Sequence, residues 1–429
     1  MLSNLKNVFK VPDLRNKILF TFGVVALYRL GVAIRVPGID PDAVLHLNLF
    51  SGGAFGSFSI FALGIMPYIT ASIIMQVLGV VIPKLEKLQQ EGAAGQRKIT
   101  QYTRYLGIGI ALLQGTGLTF IFGQGRGSAF FGAAQSVPNV KLLPDGMWPR
   151  GYLVILSLVA GTALIMWLGE LISQRGIGNG MSMIIFASVV SDLPFNYYSI
   201  LQSRKWFVFG LLVALSIGIV IAVVRVELAQ RRIPVQFAKR VVGRRMYGGQ
   251  NTYIPLKVNQ SGIVPIIFAS SVLLLPVLLS NLLGGNDGTG WRAWVQRQIN
   301  TYIVNSQNIV YISIFALMII AFAYFYNSIA FDPIRQADQL RRQGGFIPGI
   351  RPGPQTERYL AKAVNRITLP GAVFVAVIAI LPYLLLWAGD VRSFPFAGTT
   401  VLIAVGVALE LMRQIDSQLM LRNYEGFLK

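Results

Sequence analysis

The chain has 429 residues, of which 54% are hydrophobic and 13% charged, against roughly 25% charged in an average soluble protein. Lysine and arginine outnumber aspartate and glutamate 38 to 17, giving a net charge of +21, and cysteine is absent. Disulfides, thiolate metal sites and cysteine nucleophiles are therefore excluded, and the apolar excess argues against a soluble globular enzyme.

In chain order, roughly ten apolar stretches occur near 18–36, 60–83, 105–123, 151–172, 180–195, 206–224, 262–283, 307–328, 368–388 and 398–412. A helix needs about 20 apolar residues to cross a bilayer, so the pattern predicts a polytopic helical membrane protein. The first run lacks an A-x-A-like site after it, and no cleavable signal peptide is expected. Alternate gaps (the N-terminus, 84–104, 173–179, 225–261, 329–367 and the C-terminal tail) hold 28 of the 38 basic residues. Basic residues stay on the cytoplasmic side during insertion. Both termini and the large basic loops are thus expected to be cytoplasmic, in an inner membrane. A face this basic attracts anionic lipids and phosphate-rich or acidic partners.

Ten spans divide into two sets of five, 1–200 and 201–429. Because five is odd, the second set would enter the membrane inverted, with the functional path between the halves. Three regions interrupt the regular pattern. The run from about Phe55 to Gly64, before Pro67, reads as helix-like but is too short to cross. Backbone at membrane depth must be buried in protein or line water, so a half-length element there implies a cavity or channel. Residues 225–261 carry eight basic residues and one acid, Glu227, and the alternation of Ile233, Val235, Phe237 and then Val241 predicts a short β-hairpin. Residues 329–367 contain LRRQGGFIPGIRPGPQTERY, whose Gly and Pro fix a tight backbone.

Signs of catalysis are missing. The single histidine, His46, has no plausible partner nearby, and no metalloprotease, nucleophile-elbow or phosphate-loop motif is present. The chain is not expected to be an enzyme or to need a cofactor. Ionisable residues deep in a membrane usually mark ion pathways. Here only Arg29, Glu170 and Glu410 are candidates, and both glutamates lie near cytoplasmic span ends. That weighs against the main competing reading, a ten-span coupled solute transporter. Uncharged polar residues (Thr70, Ser72, Gln76, Gln114, Asn259, Ser261, Ser270 and Ser271) are more abundant in or beside the spans. Such side chains hold transmembrane helices together and suit contacts that must open and close.

The segments SIFALGIMPYITASIIMQVL (59–78), GQRKITQYTRY (95–105), GIGNGMS (176–182), QRRIPVQFAKRVVGRR (230–245), PLKVNQSGIVPIIFASS (255–271) and GGFIPGIRPG (344–353) closely resemble the SecY family. The resemblance implies ten transmembrane helices in a clamshell of two inverted five-helix halves, with a short re-entrant plug helix at about 52–64. It implies a pore ring of Ile69, Ile73, Ile185, Val189, Ile267 and Ile403, in which Val189 stands where many relatives carry isoleucine. By the same resemblance the plug contains Gly53, Phe55, Gly56, Phe58, Ile60 and Phe61, and the lateral gate contains Thr70, Gln76, Gln114, Asn259, Ser270 and Ser271. Arg104, Lys239, Arg240, Arg244, Arg245 and Arg351 would dock the SecA motor or the ribosome. The cargo is expected to be signal peptides and unfolded preproteins. Further expected partners are the small subunits SecE and SecG, anionic lipids, SecD/SecF and YidC.

Overall fold

Prolines set where the first helices begin and where one bends. The computed structural model describes residues 11–39, 59–123, 150–202, 206–237, 240–242, 245–247, 251–282, 291–304, 308–388 and 398–427. Helix α1 (Pro12–Ala33) opens on Pro12, with Asp13 in its first turn. Proline fits there because the first N–H has no helical partner, and an acid there complements the helix dipole. Its buried residues Leu14, Thr21, Val24, Tyr28 and Gly31 recur at the helical period and form one inward stripe, while Leu19, Phe22, Leu27 and Leu30 face outward. A helix apolar on both sides belongs in a membrane.

Helix α2 (Met66–Val81) and α3 (Pro83–Gln90) meet at a 102° bend. Pro83 cannot donate to the preceding turn and forces Ile82 into an extended conformation, with ψ at 113°. Then follow α4 (Ala93–Gly123), α5 (Arg150–Arg175), α6 (Gly180–Gln202) and α7 (Trp206–Leu228). After strands β1–β4, described below, come α8 (Val264–Leu282), α9 (Trp291–Ile299), a π-helical turn π1 (Asn300–Val304) and α10 (Ile309–Ala330). The chain continues with α11 (Pro333–Arg342), α12 (Pro354–Ala388) and α13 (Gly398–Phe427). Among the described residues, five helices are long and apolar enough to cross a membrane, six when the bent α2–α3 pair counts as one span.

Buried apolar residues gather in separate clusters. One joins α1, the turn at 59–65, α5 and α6 through Val24, Phe61, Ile165 and Ile184. Another joins α7, α8, α10, α12 and α13 through Val223, Ile266, Ile319, Val375 and Leu402.

The expected hairpin is present, and it corrects a purely helical description. Strand β1 (Gln230–Phe237) pairs antiparallel with β4 (Asn251–Lys257), in the register Ile233↔Ile254 and Gln230↔Lys257. Between them β2 (Arg240–Val242) and β3 (Arg245–Tyr247) make a second, smaller hairpin. Strand β5 (Gly345–Phe346), from the other large loop, adds to the free edge of β1 through Gln236↔Phe346 and Phe237↔Gly345. Ile233, Val235 and Leu256 are buried with Leu340, Ile347 and Leu360, so both loops share one apolar core.

Of the segment expected to be a half-length helix, from about Phe55 to Gly64, only residues 59–64 are among the described ones, and these are not helical. Residues 60–65 are consecutive turns, preceded by a bridge between Arg35 and Ser59. Gly64 adopts a φ of +58°, a left-handed conformation that ends any helix, and Pro67 then starts α2 afresh.

Candidate functional site

A cavity of roughly 1510 Å³ is walled by α2, α4, α5, α6, α8 and α13. Four residues expected in the pore ring line it together: Ile69 and Ile73 from α2, Ile185 from α6 and Ile267 from α8. Ile69 and Ile73 are one helical turn apart and share a face, and Ile73 and Ile267 are buried. Val189 and Ile403 are half-buried on α6 and α13, and the cavity lining does not include them. The remainder of the wall is mixed, with Met181, Ile263, Leu402 and Val407 beside the polar Gln76, Gln96, Gln101, Asn179, Asn259 and Gln414. Aliphatic side chains offer water and ions no hydrogen bonds, whereas the amides among the other lining residues do.

The seam between α2 and α8 carries one polar cross-link. Thr70 Oγ1 lies 3.3 Å from Ser271 Oγ, yet each hydroxyl also donates within its own helix. Thr70 donates to the Met66 carbonyl at 2.9 Å and Ser271 to the Ile267 carbonyl at 2.7 Å. A hydroxyl has a single proton, so while both bonds inward are made the cross-link has none, and the seam is weakly tied. Ser270 likewise donates to the Ile267 carbonyl, at 2.9 Å. Gln76 borders both the cavity and an apolar groove lined by Val77, Phe268, Phe322 and Phe325. Gln114 is half-buried on α4 and does not line the cavity.

Asn259 is placed differently from its expected neighbours. It is 4% exposed, and its Nδ2 donates to Glu227 Oε2 at 3.0 Å. The Val258 N–H donates to the Ala229 carbonyl at 3.0 Å. These two bonds join the end of α7 to the chain leaving β4, directly ahead of α8. Glu227 stands out in the sequence as the one acid among eight bases, and an isolated acid there calls for a partner.

Arg104 has a partner within the chain while its side chain stays 38% exposed. The family resemblance assigns it to a docking surface, but its guanidinium grips Glu170 with two bonds, Nε to Oε1 at 2.5 Å and Nη2 to Oε2. Its Nη1 also donates to Gln101 Oε1 at 2.9 Å. Both charged residues line the cavity, so the pair braces α4 against α5. A carboxylate leaving water needs such a bidentate partner, and the sequence signal is Glu170 at the end of an apolar run.

Of the expected plug, Gly53, Phe55, Gly56 and Phe58 lie outside the described residues. Ile60 and Phe61 are held firmly. The Ile60 N–H donates to the Ile34 carbonyl at 3.0 Å, and Phe61 stacks on Tyr28 with ring centroids 5.6 Å apart. Tyr28 in turn shares a 2.7 Å hydrogen bond with Ser188 on α6. Two glycines make room: a Cβ on Gly31 would meet the Phe61 ring, and one on Gly161 the Ile60 carbonyl.

On the loops, Arg351 is exposed in a turn flanked by Gly349 and Gly353, whose φ values are +81° and +110°. The Thr356 hydroxyl donates to its carbonyl at 3.0 Å and holds the turn. Arg240 and Arg245 lie on the small β2–β3 hairpin, whereas Lys239 and Arg244 fall outside the described residues.

Comparison with known proteins agrees with this geometry. A family model described as SecY matches residues 59–412. The protein translocase subunit SecY of Mycobacterium bovis is 48% identical over the full length of both chains, and that of Streptomyces scabiei 47%. The fold is similar to a solved protein-conducting channel, with a TM-score of 0.61 at 20% identity, covering 94% of this chain and 91% of that one. Sec61 in a canine ribosome–channel complex gives a TM-score of 0.58 at 19% identity, covering 94% and 91%. Matched in family pattern over most of its length and aligned end to end with these relatives, the chain belongs to the SecY family.

Proposed function

We propose that this chain is the channel subunit of a protein translocon, passing unfolded polypeptide through its cavity and releasing apolar segments sideways into the bilayer. The observation that carries this reading is the cavity itself: aliphatic side chains from α2, α6 and α8 converge in it, in a wall that also carries amide side chains from several helices. An aliphatic ring can part around a passing chain because apolar contacts have no direction and no specific bond has to break. Membership in the SecY family leaves the coupled-transporter alternative without support.

In this reading ten spans form two inverted halves, 1–200 and 201–429, and the separate apolar clusters of the early and late helices support the division. The seam between α2 and α8 is the lateral gate, with Thr70 and Ser271 as its breakable tie. Residues 52–64 supply the plug, with Ile60 and Phe61 as its seat. The shared sheet and Arg351 form a docking platform for the SecA motor or the ribosome, and a ribosome-bound canine Sec61 of similar fold supports the second partner. SecE and SecG complete the complex. The basic loops place this platform and both termini in the cytoplasm, with the chain in the inner membrane. The energy comes from the motor or from translation, and the chain catalyses no reaction itself.

Reconstitution tests the proposal. Vesicles holding the complex and supplied with motor and ATP should protect a secretory preprotein from external protease. Saturable small-solute uptake with no preprotein protection would overturn it.

A further inference from the structure

Between α8 and α10 the chain forms a compact unit that the channel reading leaves without a role. It consists of α9, sequence WRAWVQRQI, followed directly by π1. Its inner side is apolar: Ile303 packs against the cluster built on α8, α10, α12 and α13. Its outer side is aromatic and basic. Trp294 is 60% exposed and Tyr302 43%, and Arg297 is exposed three residues after Trp294, which places both on one helical face. The wider π turn (i→i+5 bonding) slows the rotation of the chain, so Tyr302 returns toward the face of Trp294 instead of passing beyond it.

The unit is held at a fixed height relative to α10. Asn308 Nδ2 donates to the Thr301 carbonyl at 3.0 Å, and its Oδ1 accepts from the Val310 N–H at 3.0 Å. One side chain thus caps α10 and ties down π1. Directly beyond that cap the outward face of α10 is mostly apolar, with Ile309 74% and Leu317 69% exposed and Ser313 between them turning its hydroxyl back onto the Ile309 carbonyl. A stripe of that kind is stable only in contact with acyl chains. The aromatic and basic residues of α9 and π1 therefore belong to a unit tied to the end of that apolar surface.

We propose that α9 and π1 form a phospholipid-headgroup contact that sets the depth of the C-terminal gate helices in the bilayer. Tryptophan and tyrosine concentrate at the membrane–water boundary because their rings are apolar and their N–H and O–H groups polar. An arginine beside them brings positive charge to the level of the phosphates while its stem lies along the acyl boundary. The occupant is a lipid headgroup and not a protein, because π1 packs against α10, whose outward face is dominated by exposed apolar side chains. Since α9 also packs on α8, which carries Ile267 and Ser271, this contact fixes how far the gate helix rides out of the bilayer.

The absence of cysteine makes the test direct, since a single cysteine can be introduced with nothing removed. Nitroxide labels are placed one at a time through Trp294→Cys, Tyr302→Cys, Leu317→Cys as the deep reference and Tyr253→Cys, on exposed β4, as the aqueous reference. In the reconstituted complex, each label is read for access to oxygen and to a water-soluble nickel chelate. The ratio of oxygen to nickel access at 294 and 302 should fall between the two references. It should also change when zwitterionic lipid is replaced by anionic lipid, while the references stay fixed. Values at 294 and 302 equal to those at 253, or exclusion of both reagents, would overturn the proposal in favour of open solvent or a protein cover. Should Trp294→Cys fail to fold, quenching of native tryptophan fluorescence by headgroup-spin-labelled lipid gives the same answer. Trp294→Phe must remove a large share of that quenching, and unchanged quenching would refute the contact.

Discussion

Replacing Gly161 with alanine should unseat the turn at 59–65 and loosen the resting channel. A methyl group there would overlap the Ile60 carbonyl oxygen and lie 2.7 Å from Ile60 Cγ2 and 2.8 Å from its carbonyl carbon. Carbon atoms pack best about 3.5–4.0 Å apart, so the turn must retreat by roughly 1 Å. Neighbouring backbone, not the end of a flexible side chain, is what blocks the way, so the strain is of the overpacking kind, about 1–3 kcal/mol. Retreat also stretches the bond from the Ile60 N–H to the Ile34 carbonyl, now 3.0 Å, which contributes about 1 kcal/mol. Against this, alanine improves the helix by about 1 kcal/mol. The net loss of about 1–3 kcal/mol corresponds to a rise of roughly five- to 140-fold in the unseated population, since each 1.4 kcal/mol is a factor of ten. Planar-bilayer recording should show a matching rise in resting ion conductance, and preproteins with defective signal sequences should pass more readily. Gly218→Ala is the control, because nothing lies within 4 Å of the added methyl, and it should leave conductance unchanged. A Gly161→Ala channel as ion-tight and as heat-stable as the parent would show that Ile60 does not need this close fit.

Three further outcomes are expected. Arg351→Glu should leave insertion and folding intact but severely impair translocation, because like charges across the docking interface are unfavourable by several kcal/mol; normal translocation by purified mutant channels would remove Arg351 from the platform. Neutralising Lys239, Arg240, Arg244 and Arg245 together should weaken ribosome binding and flatten its log–log salt dependence by about 0.7–0.9 for each phosphate they neutralise, and an unchanged slope would leave these residues with topology alone. Changing Ile73 and Ile403 to asparagine should give a folded channel that leaks ions at rest; if the double mutant folds and stays ion-tight, the aliphatic seal is misassigned.

Much of the architecture can be read from the sequence because the bilayer imposes simple rules. Runs of apolar residues mark helices, and the placement of lysine and arginine orders the gaps between them. The alternation of Ile233 and Val235 announces β1 because a strand buried on one face must alternate. Its neighbours are harder to see. Strand β5 is two residues long, too short to carry any period, and it joins β1 only because the folded chain brings two distant loops together. Within the site, Ile69, Ile73, Ile185 and Ile267 line one cavity, and Arg104 pairs with Glu170. A basic residue in a basic loop looks the same whether it faces a partner or a neighbouring helix. The role of Gly161 is equally hidden, since a glycine in an apolar helix records that something comes close but not what. The turn at 59–65 reads as helical because its composition is apolar throughout, and only the positive φ of Gly64 shows where the helix cannot form.

The joining of β5 to β1 also orders events during synthesis. Hairpin β1–β4 can close as soon as Lys257 is made, since both strands lie within one loop. The edge of β1 at Gln236 and Phe237 stays open until Gly345 and Phe346 emerge, after α8 and α10 have been synthesised. Until then Val235 and Ile233 lack the cover of Leu340, Ile347 and Leu360. A half-made chain therefore carries an unfinished platform, which becomes one rigid body only once α12 folds beneath it. On the docking role proposed above, competence to recruit a motor or a ribosome comes only once the late helices exist, and the newborn molecule stays out of service until its C-terminal half is nearly complete.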